Sequence, residues 1–390
     1  MTNLLNQTVL ISGASIAGPS LAYWLERYGA TVTVVERAPA LRPGGQAIDF
    51  KGAVHRRVLE EMGLWDAIVA RQTGGQDQTV VDADGRELVV MPGVFWAGDV
   101  EIHRGDLAQI LHEATRESCE YVFGDEITSL TETADGVHVT FAEGAPRTFD
   151  LVVGADGIHS AVRRLVFGPE EEFVTFSGYY YALADLGVTA DHLMYNEPGR
   201  MVAVGGSKAP AFFVFASPEL TYDRYDAEQQ ADILRAAYAG GRWRVPELLE
   251  RLPQARSVYL DSISRVTMDR WSTGRVVLLG DAAYGSTLAG FGSGLAVVGA
   301  YVLAGELLAA GGDHDTAFRR YEEVFRSYAG VGEKGRPGQF LAPRTRRGMW
   351  MRNLMFRTAG LLKAMLWLTN RFATAVELRD YPTMARSGQV

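Results

Sequence analysis

The sequence predicts an α/β protein: a Rossmann-like nucleotide-binding domain, a β-rich domain inserted into it, and a long helix towards the C-terminal end. Three observations carry that prediction. Residues Thr8 to Arg37 read TVLISGASIAGPSLAYWLERYGATVTVVER, a strand, a glycine-bearing turn, a helix and a second strand, which is the βαβ pattern of about 30 residues. From Phe173 to Ser217 the chain changes to β-type runs rich in Tyr, Phe and Val. From Arg275 a buried-strand pattern returns, followed by GLAVVGAYVLAGELLAAGG, a helix stopped by Gly311 and Gly312. A β-rich stretch between two α/β stretches predicts insertion. The α/β domain then spans 1–170 and 268–330, the inserted domain 171–267, and a helical segment 331–390.

In the first unit, Val9 to Ser12 is an apolar run ending in small residues, and Thr31 to Val35 is a β-branched run closed by Glu36. Between them Leu21, Leu25 and Tyr28 recur at helical spacing, with Gly29 as the stop. Asp106 to Ser118 reads as a helix, Val137 to Phe141 as an alternating strand, and Asp150 to Val153 as an apolar strand running into Gly-Ala-Asp-Gly. Arg275 to Leu279 is another buried strand. In the tail, Met351, Leu354, Met355, Leu361, Leu362, Met365, Leu366 and Leu368 fall partly on one helical face, among Arg352, Arg357, Lys363 and Arg371. This pattern fits a helix lying on a membrane surface or, as the acidic net charge favours, a long helix packed across both domains.

Composition narrows the function. A formal net charge of -9 leaves no cationic surface for a nucleic-acid partner. One cysteine, Cys119, suits a reducing compartment, and seven scattered histidines show no metal-ligand spacing. There is no secretory pattern at the start and no uninterrupted apolar run of about 18 residues. The expectation is a cytoplasmic protein, monomeric or weakly dimeric, without stable membrane insertion.

The turn Gly13-Ala14-Ser15-Ile16-Ala17-Gly18 is a nucleotide fingerprint with serine in the middle glycine's place. Gly13 permits the tight turn, Gly18 permits the helix to pack closely, and a pyrophosphate sits on the helix N-terminus. Ser15 adds only a hydroxyl, which can itself donate to a phosphate oxygen. Glu36, ending the second strand, is placed for a ribose hydroxyl. Asp281 stands at the end of a buried strand, where α/β folds bind ligands, and the glycine-rich turn from Gly290 to Gly294 opens the next helix.

Two later stretches narrow the ligand: DLVVGADGIHSAVRR from Asp150 to Arg164, and GRVVLLGDAAYGSTLAGFGSGLA from Gly274 to Ala296. With the fingerprint, in this order and at these separations, they resemble the three signatures of the single-component FAD-dependent aromatic hydroxylases. These are the para-hydroxybenzoate hydroxylase-like monooxygenases, which include the tetracycline-inactivating monooxygenases, and the resemblance spans nearly the whole chain. It implies an enzyme in which NAD(P)H reduces FAD, O2 forms a flavin C4a-hydroperoxide, and oxygen passes to a small molecule. Pocket aromaticity suggests an aromatic or polyketide-like substrate. The alternatives are an FAD-dependent oxidase or dehydrogenase without oxygen insertion, and a nucleotide-binding module without chemistry.

The resemblance also assigns residues. Gly13, Ser15, Ile16, Ala17 and Gly18 would hold the pyrophosphate, and Glu36 with Arg37 the adenosine end. Gly44 and Gly45, in RPGGQAIDF from Arg42, would lie beside the isoalloxazine ring. Arg104, in EIHRGDLAQIL, would contact phosphate or the ribityl chain, with a solvated helix-start arginine as the alternative. Asp156 and Gly157 would hold the Asp-Gly turn, Asp156 also being a candidate helix cap, and Arg163 would lie near the pyrophosphate or the nicotinamide nucleotide. Asp281 would accept from a ribityl hydroxyl, with Gly292 and Gly294 at the flavin pyrimidine. No catalytic residue stands out. The sequence departs from the family at Tyr284, where His is usual, and in lacking Pro between Tyr284 and Gly290. On the inserted sheet, Tyr180, Phe213 and Phe215 are candidates for the substrate pocket, with sheet core as the alternative.

Overall fold

The computed structural model describes residues 4–42, 45–96, 98–188, 192–206, 209–290, 292–330, 335–358, 360 and 378–382. A six-stranded sheet runs in the order Ser272–Thr273, Val276–Leu278, Leu151–Gly154, Thr8–Ser12, Thr31–Glu36, Glu120–Phe123. All neighbours are parallel except the first strand, which is antiparallel. The apolar runs seen in the sequence are its inner strands, and Val9, Leu10, Ile11, Val152 and Val153 are wholly buried, as a sheet covered on both faces requires. Ser12 pairs with Gly154 and Val35, so the fingerprint turn, the Asp-Gly turn and Glu36 emerge side by side.

The helix Gly292–Ala309 is the hub of this part, packed on the fingerprint helix Ala17–Arg27 and on the helix His314–Ala329. By length and composition alone it could cross a membrane. It is instead buried along most of its length and carries Glu306, which accepts a hydrogen bond from the Tyr381 hydroxyl at 2.6 Å. Three of its glycines are notches for rings from distant segments. A Cβ would fall 2.3 Å from the His55 ring at Gly294, from the Tyr284 hydroxyl at Gly299, and from the Tyr381 ring at Gly305.

A seven-stranded sheet forms the second half, in the order Val258–Val266, Val174–Ala184, Ala209–Ala216, Arg200–Gly206, Leu193–Glu197, Gln78–Val81, Glu87–Met91. Four strands come from the β-rich stretch, a fifth is Val258–Val266, and two are recruited from ahead of residue 171 by parallel pairing of Leu193 with Thr79. The sheet's two faces differ. One is covered by the helices Ala227–Ala237 and Val245–Arg251, against which Tyr180, Phe213 and Phe215 pack with Leu234, Tyr238 and Leu248. These three aromatics are therefore core side chains, and the pocket role expected for them is corrected. Alternation along a strand sends their neighbours Tyr181, Phe212 and Val214 to the other face.

The expected C-terminal helix is present as Arg346–Arg357. It docks on the edge strand Glu87–Met91, where the Arg357 guanidinium donates to the Leu88 carbonyl. Arg352 is buried beneath it, donating to Asn196 Oδ1 and the Leu341 carbonyl. Leu361, Leu362, Lys363, Met365, Leu366, Leu368 and Arg371, which also supported a long helix, lie outside the described residues, as does Gly44.

Candidate functional site

The fingerprint turn is close-packed. Gly13 has φ +108°, and a Cβ there would lie 2.5 Å from the Ala155 carbonyl oxygen, in the approach to the Asp-Gly turn. A Cβ at Gly18 would lie 1.9 Å from the carbonyl oxygen of Gly13, so no side chain fits at either end of the turn. Ile16 and Ala17 are buried at the start of the helix. Glu36 closes the turn: its carboxylate accepts hydrogen bonds from the Ala14 and Ala38 amides, each at 2.9 Å. Arg37 points outward, its guanidinium 4.4 Å from the Tyr225 ring centroid.

Ser15 and Arg104, 89 residues apart, meet here. Arg104 Nε and Nη2 donate to Ser15 Oγ at 3.2 and 3.0 Å. Gly45, with φ +85°, comes up against the Arg104 side chain from the neighbouring loop. Asp281 lies across from Arg104. Its carboxylate is exposed yet walled in by protein, which pushes its pKa up, and only Arg104 pulls it down. It has no hydrogen-bond partner among the described residues. A Cβ at Gly292 would touch Asp281 Oδ1 at 3.5 Å, and one at Gly280 would lie 3.1 Å from Ala17 Cβ. The three signature stretches thus line one crevice at the strand ends.

Three residues take structural places. Asp156 accepts from the Ala161 and Val162 amides at 2.8 and 3.1 Å and from the Ser160 hydroxyl, so it caps the helix Ala161–Val166. Gly157, with φ +83°, is the turn before it. Arg163 is wholly buried, donating to the carbonyls of Ala282 at 2.9 Å and Ile158 at 2.6 Å. It clamps the Asp-Gly stretch to the Gly-Asp stretch, and the ligand contact expected of it is replaced by that clamp. Gly294 faces His55, not the crevice. Tyr284, in the place where the family has His, also turns inward. Its ring packs against Trp271 at 4.8 Å and Phe325 at 5.2 Å, and its hydroxyl meets that of Tyr321 at 3.3 Å.

The structure adds residues that the sequence did not single out. On the sheet face opposite the buried aromatics, Tyr181 packs against Tyr259 at 5.9 Å and Phe212 at 6.5 Å. Tyr181 belongs to the cluster against which Leu288 of the Gly-Asp stretch packs, so this face adjoins that stretch. Asp261 is buried and accepts from the Tyr259 hydroxyl at 2.8 Å and from His159 Nε2 at 3.1 Å; His159 Nδ1 meets Glu170 at 2.8 Å. His159 follows the Asp-Gly turn directly, which is a signal of place, but its partner lies 102 residues away.

A family model described as an FAD binding domain matches residues 6–323. An uncharacterized protein of Mycobacterium tuberculosis is 43% identical over 337 residues, covering 83% of this chain and 90% of that protein. A flavin-dependent monooxygenase of Legionella longbeachae is 36% identical over 342 residues, covering 84% of this chain and 87% of its own. The crystal structure of tetracycline destructase Tet(55) superposes with a TM-score of 0.81 at 34% identity, covering 97% of this chain and 100% of that one.

Proposed function

The chain belongs to the single-component FAD-dependent monooxygenases, and from that premise we propose that it uses NAD(P)H and O2 to oxygenate an aromatic or polyketide-like small molecule. The observation that carries the reading is the Asp281 carboxylate, exposed and with no hydrogen-bond partner among the described residues, at the strand ends where three distant stretches converge. An ionised carboxylate only accepts, and a ribityl hydroxyl supplies a donor.

The residues present fit FAD. The turn from Gly13 to Gly18, packed too closely for a side chain at either end, takes the pyrophosphate on the helix N-terminus. Ser15 and Arg104 add a hydroxyl and a guanidinium beside it. Glu36 and Arg37 serve the adenosine end, Asp281 the ribityl chain, and Gly45 and Gly292 let backbone approach the ring. Asp156 and Gly294 support the site from behind, through the helix cap and the seat for His55. When bound, FAD accepts electrons from a nicotinamide and activates O2. The protein's part is position and water exclusion. The sheet face bearing Tyr181, Phe212 and Tyr259 presents a flat aromatic surface to the substrate, and the name of the Tet(55) structure supports a polycyclic one.

Purified protein releases FAD, identified by mass, and consumes NADPH in air. With labelled O2 the product gains one labelled oxygen atom. Product formed without label makes the enzyme an oxidase or dehydrogenase, and a protein that holds FMN alone overturns the pyrophosphate and ribose assignments together.

A further inference from the structure

His159 sits between two carboxylates, Nδ1 facing Glu170 Oε1 at 2.8 Å and Nε2 facing Asp261 Oδ1 at 3.1 Å. Ionised carboxylates only accept, so both ring nitrogens donate and the ring is an imidazolium. Burial pushes its pKa down, but the hydrogen bonds to Asp261 and Glu170 outweigh burial and the net shift is upward. In both carboxylates burial pushes upward and the bond from His159 outweighs it, leaving each below its usual range. Arg163 at 3.8 Å and Arg224 at 3.9 Å flank Glu170 on its far side.

This chain fixes a direction at its other end. Asp261 is only 7% exposed, and it also takes its own neighbour's amide, Ser262 N–H at 2.7 Å. The Tyr259 hydroxyl must therefore point its proton at Asp261 Oδ2. With that proton committed, the Tyr259 oxygen can only accept, from the neighbouring Tyr181 hydroxyl and, through its second lone pair, from a group outside. The Tyr259 ring is 38% exposed, next to Tyr181 on the face against which Leu288 of the Gly-Asp stretch packs.

We propose that Tyr259 is a substrate-orienting residue whose oxygen accepts a hydrogen bond from an O–H or N–H group on the substrate, and that Glu170, His159 and Asp261 are positioning residues that fix the direction of its proton. The proposal rests on the reading of the crevice as a flavin monooxygenase site. It adds a selectivity: aromatic substrates bearing a hydroxyl or amine are held in one orientation, and their O-alkylated analogues are not.

The test uses FAD-loaded protein and two probes, 1-naphthol and 1-methoxynaphthalene, with binding read from perturbation of the flavin absorbance. Wild type should prefer the naphthol by about tenfold, the worth of one hydrogen bond. Tyr259→Phe, which keeps the ring, should bring the ratio to about one with FAD content unchanged. Asp261→Asn places an amide where only an acceptor stood, so the preference should vanish or reverse, and His159→Gln should shrink it. A structural role alone would change both affinities together and leave the ratio. No preference in wild type, or the same preference in FAD-loaded Tyr259→Phe or Asp261→Asn, overturns the proposal. Protein that fails to hold FAD or to oxidise NADPH overturns the functional reading instead, so the two failures are distinct.

Discussion

Tyr180 and Tyr181 are neighbours on one strand, yet they belong to opposite faces of the sheet. Tyr180 is sealed against Phe215 and Tyr222, in the core between the sheet and its two covering helices. Tyr181 is on the face against which Leu288 of the Gly-Asp stretch packs. The first face pairs its polar groups within its own core: the Tyr238 hydroxyl with the carbonyls of Met201 and Val214, Tyr180 with the Leu220 amide, and Gln230 with the Leu260 amide. The second carries Asp261 and the tyrosine pair close together, with Tyr259 exposed. The difference teaches that aromatic density does not mark a pocket. A side of the sheet becomes a site where packing is interrupted by polar groups whose bonds have a direction.

The contrast breaks most sharply by truncation. Phe213→Ala should lower stability by about 3–5 kcal/mol, as for other buried aromatics, read as a large fall in unfolding midpoint. Phe212→Ala, on the other side and only half-buried, should cost much less. It should instead raise the hydrogen peroxide formed per NADPH consumed, because the substrate loses its orientation. Equal stability losses with equal peroxide yields would erase the distinction.

Moving from roof to floor, Asp281→Ala should leave the fold intact and weaken FAD binding by roughly one to two decades, the worth of about 1.5–3 kcal/mol in a charge-assisted hydrogen bond. Titration of apoprotein with FAD measures it, and unaltered affinity would remove Asp281 from the cofactor site. Ser15→Gly should cost about 0.5–1.5 kcal/mol or less in the same titration. It removes one hydroxyl and frees Arg104, whereas Ser15→Leu should block the approach of the phosphates.

The smallest effect concerns pH. Because folding raises the pKa of His159, its contribution is fully present below the ordinary histidine value and is lost as pH rises through the raised one. The unfolding midpoint of wild type should exceed that of His159→Gln by a margin that narrows as pH climbs past that range. Partial exposure screens the pair, so the margin is modest. A margin that widens with pH would mean that the imidazolium is not the stabilising form.

Local pattern made the framework of the proposed cofactor floor legible. The strands, the turn and Gly29 as a stop all follow from spacing within about 30 residues, and Asp281 followed from its place at a strand end. What was illegible is what pairing decides. A run of three tyrosines announces alternation but not which phase meets the helices, and this phase turned Tyr180, Phe213 and Phe215 into core. Arg163 sits in a signature stretch, yet its clamp on Ala282 spans 119 residues. His159 and Asp261 are paired only once segments 102 residues apart are brought together. The recruitment of Gln78–Val81 and Glu87–Met91 into the second sheet likewise depends on a parallel partner more than 100 residues on.

The notched hub helix has a consequence for the order in which this molecule is assembled. Gly294, Gly299 and Gly305 accept His55, Tyr284 and Tyr381 in turn. Glycine inside a helix ordinarily sacrifices about 1 kcal/mol against alanine, so the helix is intrinsically weak and draws its strength from those three rings. They come from positions as far apart as 55, 284 and 381. During synthesis the first strands can gather early, but the central shaft stays unkeyed until residue 381 has left the ribosome. Folding of the α/β half is thereby completed only after that residue is made, and substituting alanine at any of the three notches, a helix-strengthening change elsewhere, should here delay or prevent that last step.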